Sequence, residues 1–444
     1  MMYEDPGWID EFYSAISQYI LVRRADQVLI LPPNRVYKLN DSAFRILEFL
    51  KAGGKISNLK GLDSKRLGDI IAFFQNLKRV YEGDAVNLER VAYDFDFTRL
   101  PVLGEIAVTY RCNNRCAFCY AGCGGEVSCS SHANSGQEMS LREIKKVIRI
   151  FKEEAQIPFF SFTGGEPLLR PDLERMVSYA VRLGLTVNLI TNATLATEKR
   201  SSSLFASGLR TAQVSLESPS ASVHDELAGR SGAFNLTLTG IKNLIAAGFS
   251  VQTNTTVTRK NLETLLAMPS FLAGLGVRRF SMNLFIPSGR GLSHEELLVH
   301  YREIGSFIDA VRKEAFNNAL TFYWYSPTPF CQYNPIARGL GNKSCAAMDG
   351  LISVTPSGDV IPCSSYDEPM GNLIRESFSD VWFSQRARFF KEKHYAPSAC
   401  LGCEAFVSCQ AACPLYWQFV GTEEIQPFHA KKAPCPAGEA VSAS

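Results

Sequence analysis

The sequence lacks several features that would place it in a specialised class. It has no cysteine before residue 112 and no apolar run near the roughly 20 residues that cross a bilayer. Its N-terminus has no basic stretch followed by an apolar one. Lys and Arg number 46 against 44 Asp and Glu, without a long basic block that could follow a phosphate backbone. We therefore expect a cytoplasmic protein that binds neither nucleic acid nor a membrane.

What is present is an ordinary globular composition with an unusual distribution of cysteine. The 444 residues are 46% hydrophobic and 20% charged, which is enough for two or three domains. Five of the 13 cysteines lie between positions 112 and 129, and eight lie between 331 and 435. Because a reducing cytosol keeps thiols free, clustered cysteines there favour metal binding over disulfides. The pattern predicts two metal regions and a metal-free N-terminal domain.

The middle of the chain, residues 98–316, alternates apolar strand-like segments with segments of helical periodicity, such as 140–153 and 171–183. Such alternation predicts an α/β fold with a parallel sheet whose active site lies at the carboxyl ends of the strands. Six repeats are too few for an eight-stranded barrel, so we expect a partial (β/α)6 TIM-type barrel. The six expected strands are GEIAVTY, FFSFTG, TVNLIT, AQVSLES, SVQTNTTV and FSMNLF.

Residues 1–97 are expected to form a separate, winged-helix-like domain. Strand-like alternation covers 19–39, Asn40-Asp41-Ser42 offers a helix cap, and a second helix fits 66–79. Beyond the barrel, the aromatic and proline-rich residues 317–344 are interpreted as a bridge, and residues 345–444 as a cysteine-rich C-terminal domain.

Three cysteines, Cys112, Cys116 and Cys119, directly follow the first strand of the expected barrel. Thiolates hold iron-sulfur clusters, which usually take four of them. A cubane held by only three thiolates would keep one iron open to chelate a small molecule. A zinc site is the alternative for such spacing.

The CxxxCxxC spacing, with Phe118 before the last cysteine, resembles the signature of the radical S-adenosylmethionine (SAM) superfamily. The resemblance implies that SAM binds the open iron and is cleaved reductively to a 5′-deoxyadenosyl radical. The second expected strand ends in Gly164-Gly165-Glu166, which matches the GGE motif of that superfamily and implies that Glu166 accepts from the SAM ammonium group. Positions that resemble further SAM contacts are Ser215, Glu217, Asn254 and the stretch 285–291.

The C-terminal cysteines follow a CxxC-x5-C-x3-C pattern that a zinc ribbon explains for four residues but not for seven. The seven-cysteine pattern resembles the SPASM domain, which implies two auxiliary [4Fe-4S] clusters and hence three clusters in all. By that resemblance the first auxiliary cluster takes Cys345, Cys363 and Cys413, with Cys331 as the candidate fourth ligand. The second takes Cys400, Cys403, Cys409 and Cys435. Cys123 and Cys129 remain, either as unremarkable thiols or as proton or hydrogen-atom donors.

The N-terminal domain resembles the peptide chaperone of pyrroloquinoline quinone biosynthesis, also called the RiPP recognition element. That resemblance implies binding of a precursor-peptide leader as an added strand. The expected activity is oxidative modification of the core peptide, for example a C–C or thioether cross-link, driven by an external one-electron reductant. Alternatives are a sulfatase-maturase-like dehydrogenase, a small-molecule or tetrapyrrole oxidase, and a non-catalytic iron-sulfur protein. Positional candidates for a general base are Tyr323, Tyr325 and Tyr333.

Overall fold

The computed structural model describes residues 6–32, 35–59, 63–83, 97–123 and 138–426. Two cysteines named above, Cys129 and Cys435, lie outside the described residues. Within these ranges, no helix is long and apolar enough to span a membrane.

The N-terminal unit packs three helices with a small antiparallel sheet of strand order β1-β2-β3, so that β3 is an edge strand. Asn40 caps the second helix as expected, because its side chain accepts a hydrogen bond from the Ala43 N–H at 2.9 Å. The first helix was not anticipated from the sequence. The elements are α1 (Gly7–Ile16), β1 (Leu21–Arg23), β2 (Val28–Leu31), β3 (Arg35–Lys38), α2 (Asp41–Lys51) and α3 (Ser64–Glu82).

The main body is a ten-stranded sheet, and all six expected segments form neighbouring parallel strands in it. These strands are β4 (Leu103–Thr109), β5 (Phe159–Gly164), β6 (Thr186–Thr191), β7 (Thr211–Ser215), β8 (Ser250–Val257) and β9 (Arg279–Leu284). The intervening helices are α4 (Leu141–Glu153), α5 (Leu173–Arg182), α6 (Glu198–Ala206), α7 (Ala221–Ala228), α8 (Ala233–Ala246), α9 (Met268–Gly274) and α10 (Tyr301–Asn317).

The sheet extends beyond these six strands on both sides. The region interpreted as a bridge contributes β10 (Thr321–Trp324), which pairs parallel to β9. The C-terminal region contributes β11 (Leu351–Val354), which pairs parallel to β4, followed by the antiparallel β12 (Asp359–Ile361) and β13 (Gly371–Asn372). Its helices are α11 (Phe378–Trp382), α12 (Gln385–Lys391), α13 (Ser398–Leu401), α14 (Phe406–Cys409) and α15 (Pro414–Val420).

The two faces of the sheet differ sharply in polarity. Successive strand residues point to opposite faces, and one set is apolar and belongs to the buried core, for example Ile106, Phe162 and Leu189. The alternate set is largely polar, and several of its members line a cavity: Glu105, Thr163, Gln213, Ser215, Asn254 and Asn283. The sheet therefore buries its outer face under the helices and presents a polar inner face to a ligand.

A buried ion pair connects the N-terminal unit to the main body. The Arg23 guanidinium binds the Asp26 carboxylate at 2.7 and 2.8 Å and also donates to the carbonyls of Leu100 and Pro101. Asp26 in turn accepts from the Arg99 N–H at 2.9 Å. The pair thus ties the turn between β1 and β2 to the segment that leads into β4.

Replacing Arg23 with Ala should destabilise the protein by about 3–5 kcal/mol, because it leaves the Asp26 carboxylate buried without its partner. Arg24→Ala is the matched control, since the Arg24 side chain is 80% exposed against 0% for Arg23. The Arg24→Ala substitution should lower the free energy of unfolding by less than about 1 kcal/mol. Thermal unfolding of both variants checks this, and equal shifts in Tm would contradict the assigned role.

Candidate functional site

The inner face of the sheet encloses a cavity of about 400 Å³ at the carboxyl ends of the strands. Three of the expected ligands, Cys112, Cys116 and Cys119, line it together with Phe118. All three SAM-contact candidates from later strands, Ser215, Glu217 and Asn254, line the same cavity, as do Gly164 and Gly165. The structure therefore brings together residues that the sequence placed at separate strand ends.

The cysteine loop presents sulfur atoms that are already supplied with N–H donors. The Asn114 N–H points to Cys112 Sγ at 3.4 Å, and the Cys123 N–H points to Cys119 Sγ at 3.3 Å. A hydrogen bond from the Cys123 thiol lowers the pKa of Cys119, against the opposing effect of burial. Such donors favour the thiolate form, which is the form that binds metals, whereas burial raises the pKa of Cys112 and of Cys116.

The two glycines of the GGE turn are needed for contact with the cysteine loop. Gly165 N–H donates to the Thr109 carbonyl at 2.7 Å, and Glu166 N–H donates to the Arg111 carbonyl at 2.9 Å. A Cβ at Gly165 would lie 2.3 Å from the Arg111 oxygen. Gly164 has φ +130°, a conformation that side chains rarely adopt. The close approach is thus between two backbone segments at the edge of the cavity.

Glu166, predicted to accept from the SAM ammonium group, is bound through its carboxylate to the protein's own backbone and a hydroxyl. It is fully buried, and its carboxylate accepts from the Leu168 N–H at 2.9 Å, the Thr191 hydroxyl at 2.8 Å and the Asn192 N–H at 2.8 Å. Burial raises the pKa of Glu166 to about 7, with these hydrogen bonds acting in the opposite direction. Its visible role is to hold the loop after β6, whose Asn192 side chain reaches Cys112 Sγ at 3.9 Å.

Arg290 is a site residue that sequence reasoning missed. Its guanidinium donates to the carbonyls of Cys116 at 3.0 Å, Gly122 at 3.1 Å and Cys123 at 2.6 Å. Its backbone N–H donates to the Cys119 carbonyl at 3.0 Å. The stretch 285–291 was expected to touch SAM, and Phe285 and Ile286 do line the cavity, whereas Arg290 holds the cysteine loop from outside. The sequence signal that could have pointed to this role is an arginine between two glycines, Gly289 and Gly291, just after β9.

Two carboxylates line the cavity, and Glu217 is the one near the cysteine loop. Glu217 Oε2 accepts from the Thr256 N–H at 2.8 Å, and burial raises the pKa of Glu217 to about 8. Asn254 bridges Ser281 and Asn283 through hydrogen bonds of 2.8 Å each. Of the three tyrosines named as candidate bases, Tyr325 lines the cavity, whereas the Tyr333 hydroxyl donates to Asp309 at 2.8 Å.

The C-terminal cysteines form two groups. Cys345, Cys363 and Cys413 lie together, since the charges of Cys345 and Cys413 add to burial in raising the pKa of Cys363. The other group surrounds a second, smaller cavity and consists of Cys331, Cys400, Cys403 and Cys409. Cys331, the candidate fourth ligand of the first group, lies with the second group in this structure. The bridge carries Cys331 toward α13 and α14, where the Gln426 N–H reaches its Sγ at 3.5 Å.

The thiols fit clusters better than a single ion. Among the described side chains, no three from His, Cys, Asp and Glu converge on a position that could hold one metal ion. A four-iron cluster needs its thiolates spread around a cubane, and two of the cysteine groups, that of Cys112 and that of Cys400, line a cavity with several sulfurs around it.

Comparison with known families agrees with this geometry. Residues 106–272 match the radical SAM superfamily, and residues 345–404 match the SPASM domain, described as an iron-sulfur cluster-binding domain. The chain is a radical SAM superfamily enzyme. These matches imply that it binds SAM and iron-sulfur clusters.

Several relatives of this radical SAM enzyme show which activities the scaffold supports. The AdoMet-dependent heme synthase of Oleidesulfovibrio alaskensis is 28% identical over 317 residues, covering 68% of this chain and 80% of that protein. The mycofactocin maturase MftC of Mycobacterium tuberculosis is 27% identical over 329 residues, covering 72% and 80%. The crystal structure of Streptococcus suis SuiB superposes with a TM-score of 0.65 at 15% identity, covering 89% of this chain and 94% of SuiB.

Gly165→Ala should reduce iron loading of the radical SAM domain severalfold, because the new Cβ would push the cysteine loop away from the GGE turn. Gly68→Ala is the matched control, since its Cβ would meet no atom within 4 Å in the middle of α3. The control should retain its iron and be no less stable, as Ala favours a helix over Gly by about 0.5–1 kcal/mol. Anaerobic iron analysis checks this, and full loading of the Gly165 variant would contradict it.

Proposed function

We propose that this enzyme binds the leader of a ribosomally made precursor peptide and oxidatively modifies its core through a 5′-deoxyadenosyl radical. One observation carries the proposal. Residues 98–444 make up less than four fifths of the chain, so the match to SuiB, which covers 89%, must extend into the N-terminal unit. SuiB has also been solved bound to its precursor peptide SuiA.

The N-terminal unit offers a groove suited to a leader peptide. It lies between the edge strand β3 and helix α3, has a volume of about 520 Å³, and is lined by apolar side chains that include Val36, Tyr37, Phe73 and Leu77. No other described strand pairs with the outer edge of β3. An extended peptide would add to this edge through main-chain hydrogen bonds and place alternate side chains in the groove. We infer that this unit is the winged-helix-like recognition element and that the main sheet curves as a partial barrel.

Three [4Fe-4S] clusters complete the proposed enzyme. Cys112, Cys116 and Cys119 would hold the first, which supplies reductive cleavage of SAM when bound. Around it, Phe118, Ser215, Glu217 and Asn254 would bind SAM, while Arg290 and the GGE turn fix the cysteine loop. The groups at Cys345 and at Cys400 would hold the auxiliary clusters. The proposed enzyme also needs an external one-electron reductant. It needs a reducing cytoplasm as well, because an iron with an open coordination position is sensitive to oxygen.

A tetrapyrrole substrate is the second candidate, because the chain is 28% identical to a heme synthase and 27% identical to a peptide maturase. The N-terminal unit favours the peptide. Its groove and free strand edge suit an extended chain, whereas a small molecule would need only the cavity of the main sheet.

Anaerobically prepared enzyme with SAM and dithionite should release 5′-deoxyadenosine, and the Cys112/Cys116/Cys119→Ala variant should release none. The variant should also lose about four of about twelve iron atoms, because only one of the three clusters loses its ligands. The remaining iron serves as the internal control for folding. Unchanged iron in the variant, or iron without deoxyadenosine in the parent enzyme, would contradict the catalytic proposal.

Cys331→Ser should affect the same auxiliary cluster as Cys403→Ser, because both thiols face the cavity that they share with Cys400 and Cys409. Iron analysis of the double variant should show the loss of one cluster, about four iron atoms, and no further loss. Cys345→Ser combined with Cys331→Ser should lose two clusters. If the Cys331/Cys403 variant lost two clusters and the Cys331/Cys345 variant lost one, Cys331 would belong to the group of Cys345 instead.

A further inference from the structure

The cavity of the main sheet is acidic in its lining. Among the described residues that line it, the ionisable groups other than cysteine and tyrosine are Glu105, Glu217 and His224, and none is Lys or Arg. Burial lowers the pKa of His224 to about 4, so it adds no positive charge near neutral pH. Lys343 Nζ lies 6.0 Å from the centre of the Tyr325 ring but does not belong to the lining. A ligand that fills this cavity therefore meets carboxylates without opposing cations.

The two carboxylates lie near different cysteines, Glu217 near Cys116 and Glu105 near Cys363 as well as Tyr120. Glu217 lies near the cysteine loop, because its charge contributes to the raised pKa of Cys116. Glu105 lies on β4 and contacts Ser353 on the neighbouring β11 and Ser364, which follows Cys363. On the proposed function, the SAM ammonium group would lie at the cluster held by the cysteine loop, and Glu217 is the lining carboxylate whose charge reaches Cys116 of that loop. Glu105 is left for the second ligand of the cavity, which is the substrate.

The Glu105 carboxylate is held with one oxygen satisfied and the other available. Both the Ser353 and Ser364 hydroxyls donate to Oε1. No hydrogen bond to Oε2 is formed within the described part of the chain. An ionised carboxylate offers about four acceptor positions, so Oε2 and the remaining lone pairs can accept from a ligand. The residue paired with Glu105 on the neighbouring strand β5 is the neutral Ser161, which leaves Glu105 as the charged group at this end of the cavity.

We propose that Glu105 makes this cavity selective for a core-peptide residue with a cationic side chain, a protonated primary amine or a guanidinium. The proposal rests on the peptide-maturase function proposed above. Hydrogen bonds between a cation and a carboxylate are roughly twice as strong as neutral ones, and the partly buried setting screens them less than water does. An acidic side chain at the same place would face the Glu105 carboxylate and is excluded by repulsion.

The test uses the full-length, SAM-loaded enzyme without reductant, and two probes that share a four-carbon side chain and differ in the terminal amine: Nα-acetyl-lysine methylamide and Nα-acetyl-norleucine methylamide. Ligand-observed NMR titrations give their Kd values for the parent enzyme, for Glu105→Gln and for Glu153→Gln. Glu153 is an exposed residue of α4, so its variant removes one charge without touching the cavity. Ser364→Ala is a third variant, which keeps the carboxylate but removes one of its donors.

The parent enzyme and Glu153→Gln should bind the lysine probe about tenfold more tightly than the norleucine probe. A ligand without the amine leaves the Glu105 carboxylate without a hydrogen-bond partner in a partly buried site, and this weakens its binding. Glu105→Gln should lose that preference, and Ser364→Ala should weaken it. Equal binding of the two probes by the parent, or a preference that survives Glu105→Gln, would overturn the proposal. Deoxyadenosine release is measured separately, so a failure of the radical SAM function would be visible independently of probe binding.

Discussion

The site depends on the contact between the GGE turn and the cysteine loop. Two backbone hydrogen bonds, from Gly165 to Thr109 and from Glu166 to Arg111, join the ends of β4 and β5. The Glu166 carboxylate extends this connection to the loop after β6. Arg290 closes the arrangement from the end of β9 by binding three carbonyls of the same loop. Four strand ends thus fix one loop of three cysteines, which is the preorganisation that cluster ligands require.

The second constraint is the difference in polarity between the faces of the sheet. Apolar residues on the outer face pack under helices, while amides, hydroxyls and carboxylates on the inner face surround the cavity. The extra strands β10 and β11 widen this inner face and bring Tyr325 and Ser353 beside it. Because Ser364 follows Cys363, the same cavity connects the cysteine loop with the first auxiliary group. An electron removed from a substrate at this position would have a nearby acceptor.

The sequence predicted the features that local patterns determine. The six central strands were found because alternation and strand-end glycines mark them, and the placement of Cys112, Cys116 and Cys119 followed from their position after β4. Pairing of β11 with β4 could not be found in this way, since the two strands are far apart in the chain and neither carries a signal for its neighbour. The position of Cys331 beside Cys400 could not be found for the same reason, since spacing along the chain does not tell which thiols meet. The hydrogen bonds of Glu166 could not be predicted either, because burial decides whether a carboxylate faces a ligand or its own backbone.

The most direct test of the account is the mass of a short peptide encoded beside this enzyme, after anaerobic incubation with enzyme, SAM and a reductant. The account predicts a peptide that has lost hydrogen atoms in its core while its leader is unchanged, with deoxyadenosine formed in step. An unmodified peptide, together with oxidation of a tetrapyrrole under the same conditions, would contradict the claim that this radical SAM enzyme acts on peptides.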